Sequence, residues 1–203
     1  MVNVIDIGFG NIHSLQNWVN NCGFDCKIVK RPNDFDDSSI IIPGMCNAYY
    51  LMMGLREKMF DSEIIKRANQ GQKIIGICAG MQILNKKISE SKGCKGLGLV
   101  NYVTKKFETT SNKQIINNGW ISIELNKFVK FDVLNNLGNE LERFYFNHQY
   151  YLSNEKINKN LEVESIFAAH KFISCFFDNN IIGLQFHPEK SQMSGFKLGK
   201  KIL

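Results

Sequence analysis

One cysteine in this sequence has the surroundings of a catalytic nucleophile. Cys78 lies between Gly76 and Gly80, after an apolar run that predicts a buried strand and before a segment that predicts a helix. Small residues on both sides let the backbone bend sharply without side-chain clashes, as at the nucleophile elbow of a hydrolase. A sulfur at a helix start is favoured as a thiolate, and the nearby backbone N–H groups can stabilise an oxyanion. The Gly-x-Cys-x-Gly turn therefore predicts covalent catalysis.

A nucleophilic cysteine needs a base, and His187 is the best-placed candidate. It follows a predicted strand that ends in Gly-Leu-Gln-Phe, and Glu189 stands two residues after it. Pro188 fixes the bend between them. A carboxylate in this position can orient the imidazole and stabilise its protonated form. No such neighbour accompanies the other histidines, which are His13, His148 and His170.

Two other interpretations of these residues are open at this point. A free cysteine is often simply buried, so Cys78 alone does not indicate catalysis. By residue type, Cys78, His187 and Glu189 could also ligate a metal ion. The elbow together with the His-Pro-Glu segment favours catalysis over both, and we expect neither a metal nor a cofactor.

The first half of the chain predicts the scaffold that holds Cys78. Apolar runs at 2–7, 24–29, 39–42 and 73–77 predict strands, a helix is predicted at 12–22, and two more fall within 48–69. Gly54 and residues 60–62 are expected to separate those two helices, with Asp61 or Ser62 as the cap of the second. Strands that alternate with helices indicate a mainly parallel, doubly wound sheet, whose ligand sites lie at the carboxyl ends of strands.

From Asn101 onward the pattern changes to short strand-like runs. This half is expected to be largely antiparallel, extending or flanking the parallel sheet, with a turn at 154–160 and a closing helix at 193–203. The predicted strands are 102–107, 120–125, 143–146, 149–152, 163–168, 172–177 and 181–186.

Length and composition limit the kind of protein. With 203 residues, 44% hydrophobic and 22% charged, the chain suits a single domain over residues 1–203. No apolar run of about 18 residues and no signal-peptide pattern is present, so we expect a cytoplasmic protein without a membrane partner. Six cysteines without C-x-x-C spacing disfavour a disulfide framework or a zinc site. The net charge of +6 comes from dispersed lysines, which disfavours nucleic-acid binding.

The two catalytic segments resemble those of the class I glutamine amidotransferases. The resemblance lies in Gly-Ile-Cys-Ala-Gly-Met-Gln at 76–82 and in His-Pro-Glu at 187–189. Beyond this core, the chain resembles the HisH-type glutaminase subunits of imidazole glycerol phosphate synthases from its first strand to its last helix. The segments that carry this second resemblance are 6–12, 42–44, 118–120, 144–150 and 187–191.

The resemblance implies a fold, a reaction and a partner. The fold would be flavodoxin-like, with helices on a mainly parallel sheet and antiparallel strands in the C-terminal half. Cys78 would attack the side-chain carbonyl of L-glutamine, and His187, held by Glu189, would protonate the departing ammonia and then activate water to release glutamate. The ammonia would pass through a protected channel to a synthase subunit, a HisF-like (β/α)8 barrel of histidine biosynthesis, in a heterodimer.

Further residue roles are implied by the resemblance alone. Backbone N–H groups near Gly44 and Ala79 would contact the oxyanion. Glutamine would be bound by Gln82, Gln149 and Tyr150. The residues that match segments lying against the barrel in that family are Asn11, Trp120 and Lys190. For Trp120, an ordinary buried aromatic on a strand is the alternative.

Three departures from the family pattern leave the ammonia acceptor open. The family usually has Pro-Gly-Val-Gly where residues 43–46 read Pro-Gly-Met-Cys, and a leucine where Ala79 stands. It also usually has a His-Met or similar pair before, and Asn after, the Gly-Trp at 119–120. A HisH-like paralogue that supplies ammonia for amidation of a cell-surface sugar is the second interpretation. A stand-alone cysteine hydrolase and a non-catalytic subunit are alternatives from other classes, and the complete Cys-His-Glu set disfavours the latter.

Overall fold

A central sheet with helices on both faces organises the chain. The computed structural model describes residues 1–8, 10–89, 94–108, 113–123, 141–153 and 162–203. The strands are β1 (Val2–Ile5), β2 (Cys26–Val29), β3 (Ser39–Ile42), β4 (Ile74–Ile77), β5 (Val103–Lys106), β6 (Asn117–Ile123), β7 (Glu142–His148), β8 (Tyr150–Ser153), β9 (Glu162–Phe167), β10 (His170–Asp178) and β11 (Ile181–Leu184). The helices are α1 (Ile12–Asn21), α2 (Ala48–Glu57), α3 (Phe60–Asn69), α4 (Ala79–Leu84) and α5 (Gln192–Ile202).

The main sheet has seven strands in the order β2-β1-β3-β4-β11-β10-β9. The first five run parallel to one another. β10 then pairs antiparallel with β11, and β9 pairs antiparallel with β10. The predicted mainly parallel sheet with antiparallel strands in the C-terminal half is thereby confirmed. The parallel pairing of β11 with β4, which sets Gly183 beside Gly76, was not predicted. It brings the carboxyl ends of these two strands next to each other.

Side chains alternate along the central strands, so both faces of the sheet are apolar. Ile40 and Ile42 pack in the cluster under α2, α3 and α4, whereas Ile41 packs in the cluster under α1 and α5. Strands buried on both faces read as continuous apolar runs rather than alternating ones. The doubly wound arrangement predicted from the sequence is confirmed.

Two small antiparallel sheets, β5–β8 and β6–β7, complete the described fold. Aromatic ring contacts fix them to the rest of the protein. Phe144 of β7 stacks on Phe186 with ring centroids 4.1 Å apart, and Phe107, next to β5, meets Phe172 of β10 edge to face at 5.6 Å. Such pairs add roughly 0.5–1.5 kcal/mol each beyond their burial. Because Phe186 follows β11, the first pair holds β7 close to the end of that strand.

The boundary between α2 and α3 differs from the prediction. Gly54 lies inside α2, and α3 already begins at Phe60. The residue that caps α3 is Met59, in the left-handed region with φ 59°, so Asp61 and Ser62 lie in the first turn instead of at the cap. Phe60 is fully buried, which shows that its packing sets the start of the helix against the preference for a polar cap.

Some expectations fall outside the described residues. They are the turn at 154–160 and the last two residues of the strand predicted at 120–125. Within the described ranges, no helix combines the length and apolar character that a membrane crossing requires.

Candidate active site

Cys78 occupies a sharp turn between β4 and α4. Its backbone has φ 52° and ψ −108°, a conformation that non-glycine residues rarely adopt and that costs on the order of 1–3 kcal/mol. The turn is held because the Cys78 N–H donates to the Leu184 carbonyl at 2.7 Å, and the Cys78 carbonyl accepts from the N–H of Gln82 at 3.1 Å. The elbow predicted from the glycine spacing is confirmed.

Backbone packs directly against backbone on one side of this elbow. A Cβ atom at Gly44, after β3, would overlap the carbonyl oxygen of Ile77, and one at Gly80 would overlap that of Ile42. Glycine is therefore required at both positions, since no side chain can fit between the two segments. This close approach brings main-chain atoms of the loop after β3 to the nucleophile.

His187 and Glu189 form a buried pair after β11. The Nδ1 atom of His187 lies 2.9 Å from Oε1 of Glu189, and both side chains are 1% exposed. Because a carboxylate can only accept, Nδ1–H is assigned as the donor. The Nε2 atom of His187 is buried and makes no hydrogen bond of standard geometry within the described residues, although the Cys78 sulfur is close enough to interact with the ring. It is thus available to a substrate in the cavity that His187 lines with Cys78.

The charges around His187 favour its protonated form. Burial lowers the pKa of the imidazole, but the Cys78 sulfur and the Glu189 carboxylate raise it more, to about 10. An imidazolium beside the sulfur stabilises a thiolate, which is the nucleophilic form of cysteine. The sheet explains how the pair forms, because Cys78 and His187 follow the adjacent parallel strands β4 and β11.

A cavity opens over the sulfur of Cys78. The five residues assigned to the oxyanion and to glutamine all line it, together with Cys78, His187, Asn147 and His148. They are Gly44, Ala79, Gln82, Gln149 and Tyr150. The described part of the chain contains no convergent group of three His, Cys, Asp or Glu side chains that could hold a metal ion.

One of the proposed oxyanion donors is engaged within the protein. The N–H of Ala79 donates to the carbonyl oxygen of Gly44 at 3.4 Å. An oxyanion that accepts from Ala79 must replace this carbonyl oxygen. The peptide after Gly44 therefore has to change its orientation before the Ala79 N–H can act on a substrate.

Gln185 is a site residue that was not predicted from the sequence. It is fully buried immediately after β11, and its Nε2 lies 3.7 Å from the sulfur of Cys78. Its Oε1 accepts from Nε2 of Gln82 at 3.3 Å. A buried glutamine at a strand end carries no sequence signal of its own, so only the packing of β11 beside β4 reveals the contact.

His148 is a second site residue that was not predicted from the sequence. Nε2 of its ring lies 3.0 Å from Nδ2 of Asn117, and Nδ1 lies 2.8 Å from the carbonyl oxygen of Tyr150. The first contact requires Nε2 to accept and the second requires Nδ1–H to donate, so the ring is neutral. Burial lowers the pKa of His148 to about 3, and the charge of His187 acts in the same direction. The buried alternation of Phe144, Phe146 and His148 along β7 was the signal that could have identified it.

The three residues assigned to a partner contact do not line the cavity. Asn11 precedes α1 and Lys190 ends the 3₁₀ turn after His187. Trp120 of β6 is 40% exposed, so it is not an ordinary buried aromatic. Its ring lies against Tyr145 of β7, whose carbonyl accepts from the His187 N–H at 2.8 Å. The surface around Trp120 is therefore connected to the histidine turn through a single strand.

The chain matches known proteins over nearly its whole length. A family model described as glutamine amidotransferase class-I matches residues 3–197. The imidazole glycerol phosphate synthase subunit HisH 2 of Methanococcus maripaludis is 34% identical, over 100% of this chain and 98% of that protein. The chloroplastic imidazole glycerol phosphate synthase hisHF of Arabidopsis thaliana is 28% identical, over 100% of this chain and 34% of that protein. A crystal structure of a glutamine amidotransferase shares the fold, with a TM-score of 0.74 and 18% identity, over 100% of this chain and 96% of that chain.

Proposed function

The chain belongs to the class I glutamine amidotransferase family, and we propose that it hydrolyses L-glutamine through Cys78, His187 and Glu189. One observation carries the proposal: Cys78 on a strained elbow and the buried His187–Glu189 pair line or adjoin the same cavity. A nucleophile, an oriented base and a place for substrate are the parts that acyl transfer needs.

In the first half of the reaction, the Cys78 thiolate attacks the side-chain amide carbon of glutamine. The carbonyl oxygen becomes an oxyanion, which takes the N–H of Ala79 once the Gly44 carbonyl has moved away. His187 then donates its Nε2 proton to the amide nitrogen. The C–N bond breaks, ammonia leaves, and a γ-glutamyl thioester remains on Cys78.

In the second half, water replaces the ammonia. Neutral His187 takes a proton from the water through Nε2, and the resulting hydroxide adds to the thioester carbon. The C–S bond breaks, which restores the thiolate beside the imidazolium. The new side-chain carboxyl group gives its proton to solvent, and glutamate leaves. Glu189 orients the ring and stabilises its charge in both halves.

The ammonia acceptor proposed here is a cyclase subunit of the HisF type, in histidine biosynthesis in the cytoplasm. The support is the full-length similarity to a HisH subunit and to one part of a longer hisHF protein. The partner would bind the surface that carries Asn11, Trp120 and Lys190. Because free ammonia is protonated in water, transfer inside a heterodimer keeps it nucleophilic.

A second acceptor is favoured by one feature of the sequence. Residues 45–46 of the loop beside the elbow are Met-Cys instead of the usual Val-Gly. This loop has to reorient during the reaction, and Cys46 lacks the backbone freedom of glycine. A paralogue that supplies ammonia for the amidation of a cell-surface sugar would use the same three catalytic residues with a different synthase.

The test of the proposed function measures glutamate release with and without the partner. We expect low activity alone, a large rise with the cyclase subunit, and a loss of at least about 10⁴-fold in Cys78→Ala. Cys94→Ala is the matched control, because Cys94 is partly buried away from the cavity and is expected to leave the rate unchanged. Unchanged glutamate release in Cys78→Ala would show that the reaction is not the one proposed.

Identification of the partner separates the two acceptors. A pull-down from the native cell, followed by the glutaminase assay with the captured synthase, gives the answer directly. Activation by a barrel-type cyclase supports histidine biosynthesis, and activation by a sugar-modifying synthase supports the second acceptor.

A further inference from the structure

Gln185 lies next to the nucleophile but has no part in the reaction described so far. Its backbone N–H donates to the carbonyl oxygen of Ser174 on β10 at 2.8 Å, which fixes its position after β11. Its side chain is fully buried and directs Nε2 to within 3.7 Å of the Cys78 sulfur. Distances of this length are usual for hydrogen bonds to sulfur, whose radius exceeds that of oxygen.

A chain of hydrogen bonds fixes which end of the Gln185 amide faces the sulfur. Nε2 of Gln82 donates to Oε1 of Gln185 at 3.3 Å and to the carbonyl oxygen of Tyr150 at 2.7 Å. The same carbonyl also accepts from His148. A flipped Gln185 would set two N–H donors against each other and its own carbonyl oxygen against the sulfur. The amide is therefore locked with its N–H groups toward Cys78.

We propose that Gln185 is a positioning residue that donates a hydrogen bond to the Cys78 thiolate and keeps the sulfur aligned with His187. The inference rests on the proposed glutaminase function, in which Cys78 is the nucleophile. The sulfur also lies 3.6 Å from the carbonyl oxygen of Asn147, which can only accept and so fits the protonated thiol. The side-chain N–H of Gln185 is an uncharged donor, which favours the thiolate over the thiol.

The titratable groups that face this site are few among the described residues. His187 approaches from the end of β11 with Glu189 behind it, and His148 approaches from β7. Tyr150 of β8 and Cys46 of the loop after β3 line the same cavity. Since His148 is neutral, the charge that acts on the sulfur comes from His187. Removal of the Gln185 donor changes the hydrogen bonding of the sulfur without removing this charge.

The experiment measures how fast iodoacetamide alkylates Cys78 as a function of pH, with peptide mapping of the full chain. Gln185→Met keeps the length of the side chain and removes the donor, and Gln185→Glu replaces it with an acceptor. We expect the midpoint of the alkylation profile to rise by about one pH unit in Gln185→Met, a tenfold change in thiolate population, and by more in Gln185→Glu. In the glutaminase assay, kcat is expected to fall about tenfold or more, a larger change than in KM, because Gln82 keeps its hydrogen bond to the Tyr150 carbonyl.

Ser174→Ala is the matched control for loss of a buried hydrogen bond. The Ser174 hydroxyl bonds that of Ser165 at 2.6 Å and does not contact the sulfur. This variant is expected to lower the unfolding temperature and to leave the alkylation midpoint unchanged. If both Gln185 variants keep the wild-type midpoint, the Gln185 proposal is overturned and the glutaminase proposal stands. If wild-type Cys78 reacts no faster than the other cysteines, both proposals fail.

Discussion

The wall of the cavity that carries the chemistry and the surface proposed for the partner are built differently. Cys78 and His187 are 5% and 1% exposed, and turns that follow strands of the main sheet hold them. Trp120 is 40% exposed and lies on a small two-stranded sheet. The backbone thus fixes Cys78 and His187, whereas the surface proposed for the partner consists of exposed side chains that can change without disturbing the core. Substitutions in the two regions should therefore affect different measurements.

Apart from loss of the nucleophile itself, the largest effect is expected at Glu189, the residue behind the proposed catalytic histidine. Glu189→Gln keeps the shape of the side chain, removes its charge, and should lower kcat by on the order of 10³-fold. Because Glu189 is one of the groups that raise the pKa of His187 to about 10, its loss lowers that pKa. In the proposed reaction His187 must be protonated to release ammonia, so the alkaline limb of kcat against pH should move to lower pH.

The control for this substitution is another buried carboxylate. Glu142 is 6% exposed and pairs with Lys197 at 2.6 Å, away from the cavity. Glu142→Gln is expected to leave the alkaline limb in place. An alkaline limb that did not move in Glu189→Gln would contradict the assigned role of this carboxylate.

The pKa of His187 also links the His187–Glu189 pair to the stability of the fold. The folded-state pKa of about 10 lies above the ordinary value of 6.5. Protonated His187 therefore stabilises the folded state fully below about pH 6.5, and this contribution to the free energy of unfolding is lost as the pH rises toward 10. Measurement of the free energy of unfolding across this range should show the decline in wild type and a smaller one in Glu189→Gln.

A pair of glycine substitutions separates activity from stability. A Cβ at Gly44 would overlap the Ile77 carbonyl at the elbow, and one at Gly199 would overlap the sulfur of Cys22 between α5 and α1. Gly199→Ala should lose roughly 1–3 kcal/mol in urea unfolding, and Gly44→Ala should lose more, because its new methyl group would meet backbone atoms instead of a side chain. Glutamate release, measured where both variants are folded, should fall about tenfold or more only in Gly44→Ala. Equal activity of the two variants would show that the elbow tolerates displacement of the loop after β3.

The smallest effect on the isolated chain is expected at Trp120. Trp120→Ala should weaken partner binding by about 10- to 100-fold, as for an aromatic residue at the centre of an interface. The basal glutaminase rate should change by less than about twofold, because Trp120 does not line the cavity. Ile166→Ala is the control, as Ile166 is 63% exposed on the edge strand β9. Titration calorimetry with the partner makes the comparison, and equal affinities would place the interface elsewhere.

Local patterns in the sequence predicted the parts of the site that depend on local geometry. The glycines around Cys78 predicted the elbow, and the apolar runs predicted the parallel strands that end at the site. The parallel pairing of β11 with β4 and the contact of Gln185 with the sulfur depend on long-range packing, so they could not be predicted from spacing. The start of α3 was predicted wrongly because burial of Phe60 outweighed the preference of Asp61 and Ser62 for a cap position.

Burial gives three of the other cysteines a different chemistry from that proposed for Cys78. It raises the pKa of the Cys22 thiol, against a small opposing effect of Lys200, and the pKa of Cys26, each to about 11. It also raises the pKa of fully buried Cys175. Thiols with raised pKa values are poor nucleophiles near neutral pH. Reaction at Cys78 in preference to these three cysteines is therefore the behaviour expected of the proposed nucleophile.

The most direct test of Cys78 as the nucleophile is peptide mapping after reaction with an electrophilic glutamine analogue at neutral pH. We expect modification at Cys78, protection by added glutamine, and loss of the modification in Cys78→Ala. We expect little modification of the other five cysteines, which are Cys22, Cys26, Cys46, Cys94 and Cys175. Modification spread over those cysteines, or modification of Cys78 that glutamine does not prevent, would contradict the claim that Cys78 is the glutamine-directed nucleophile.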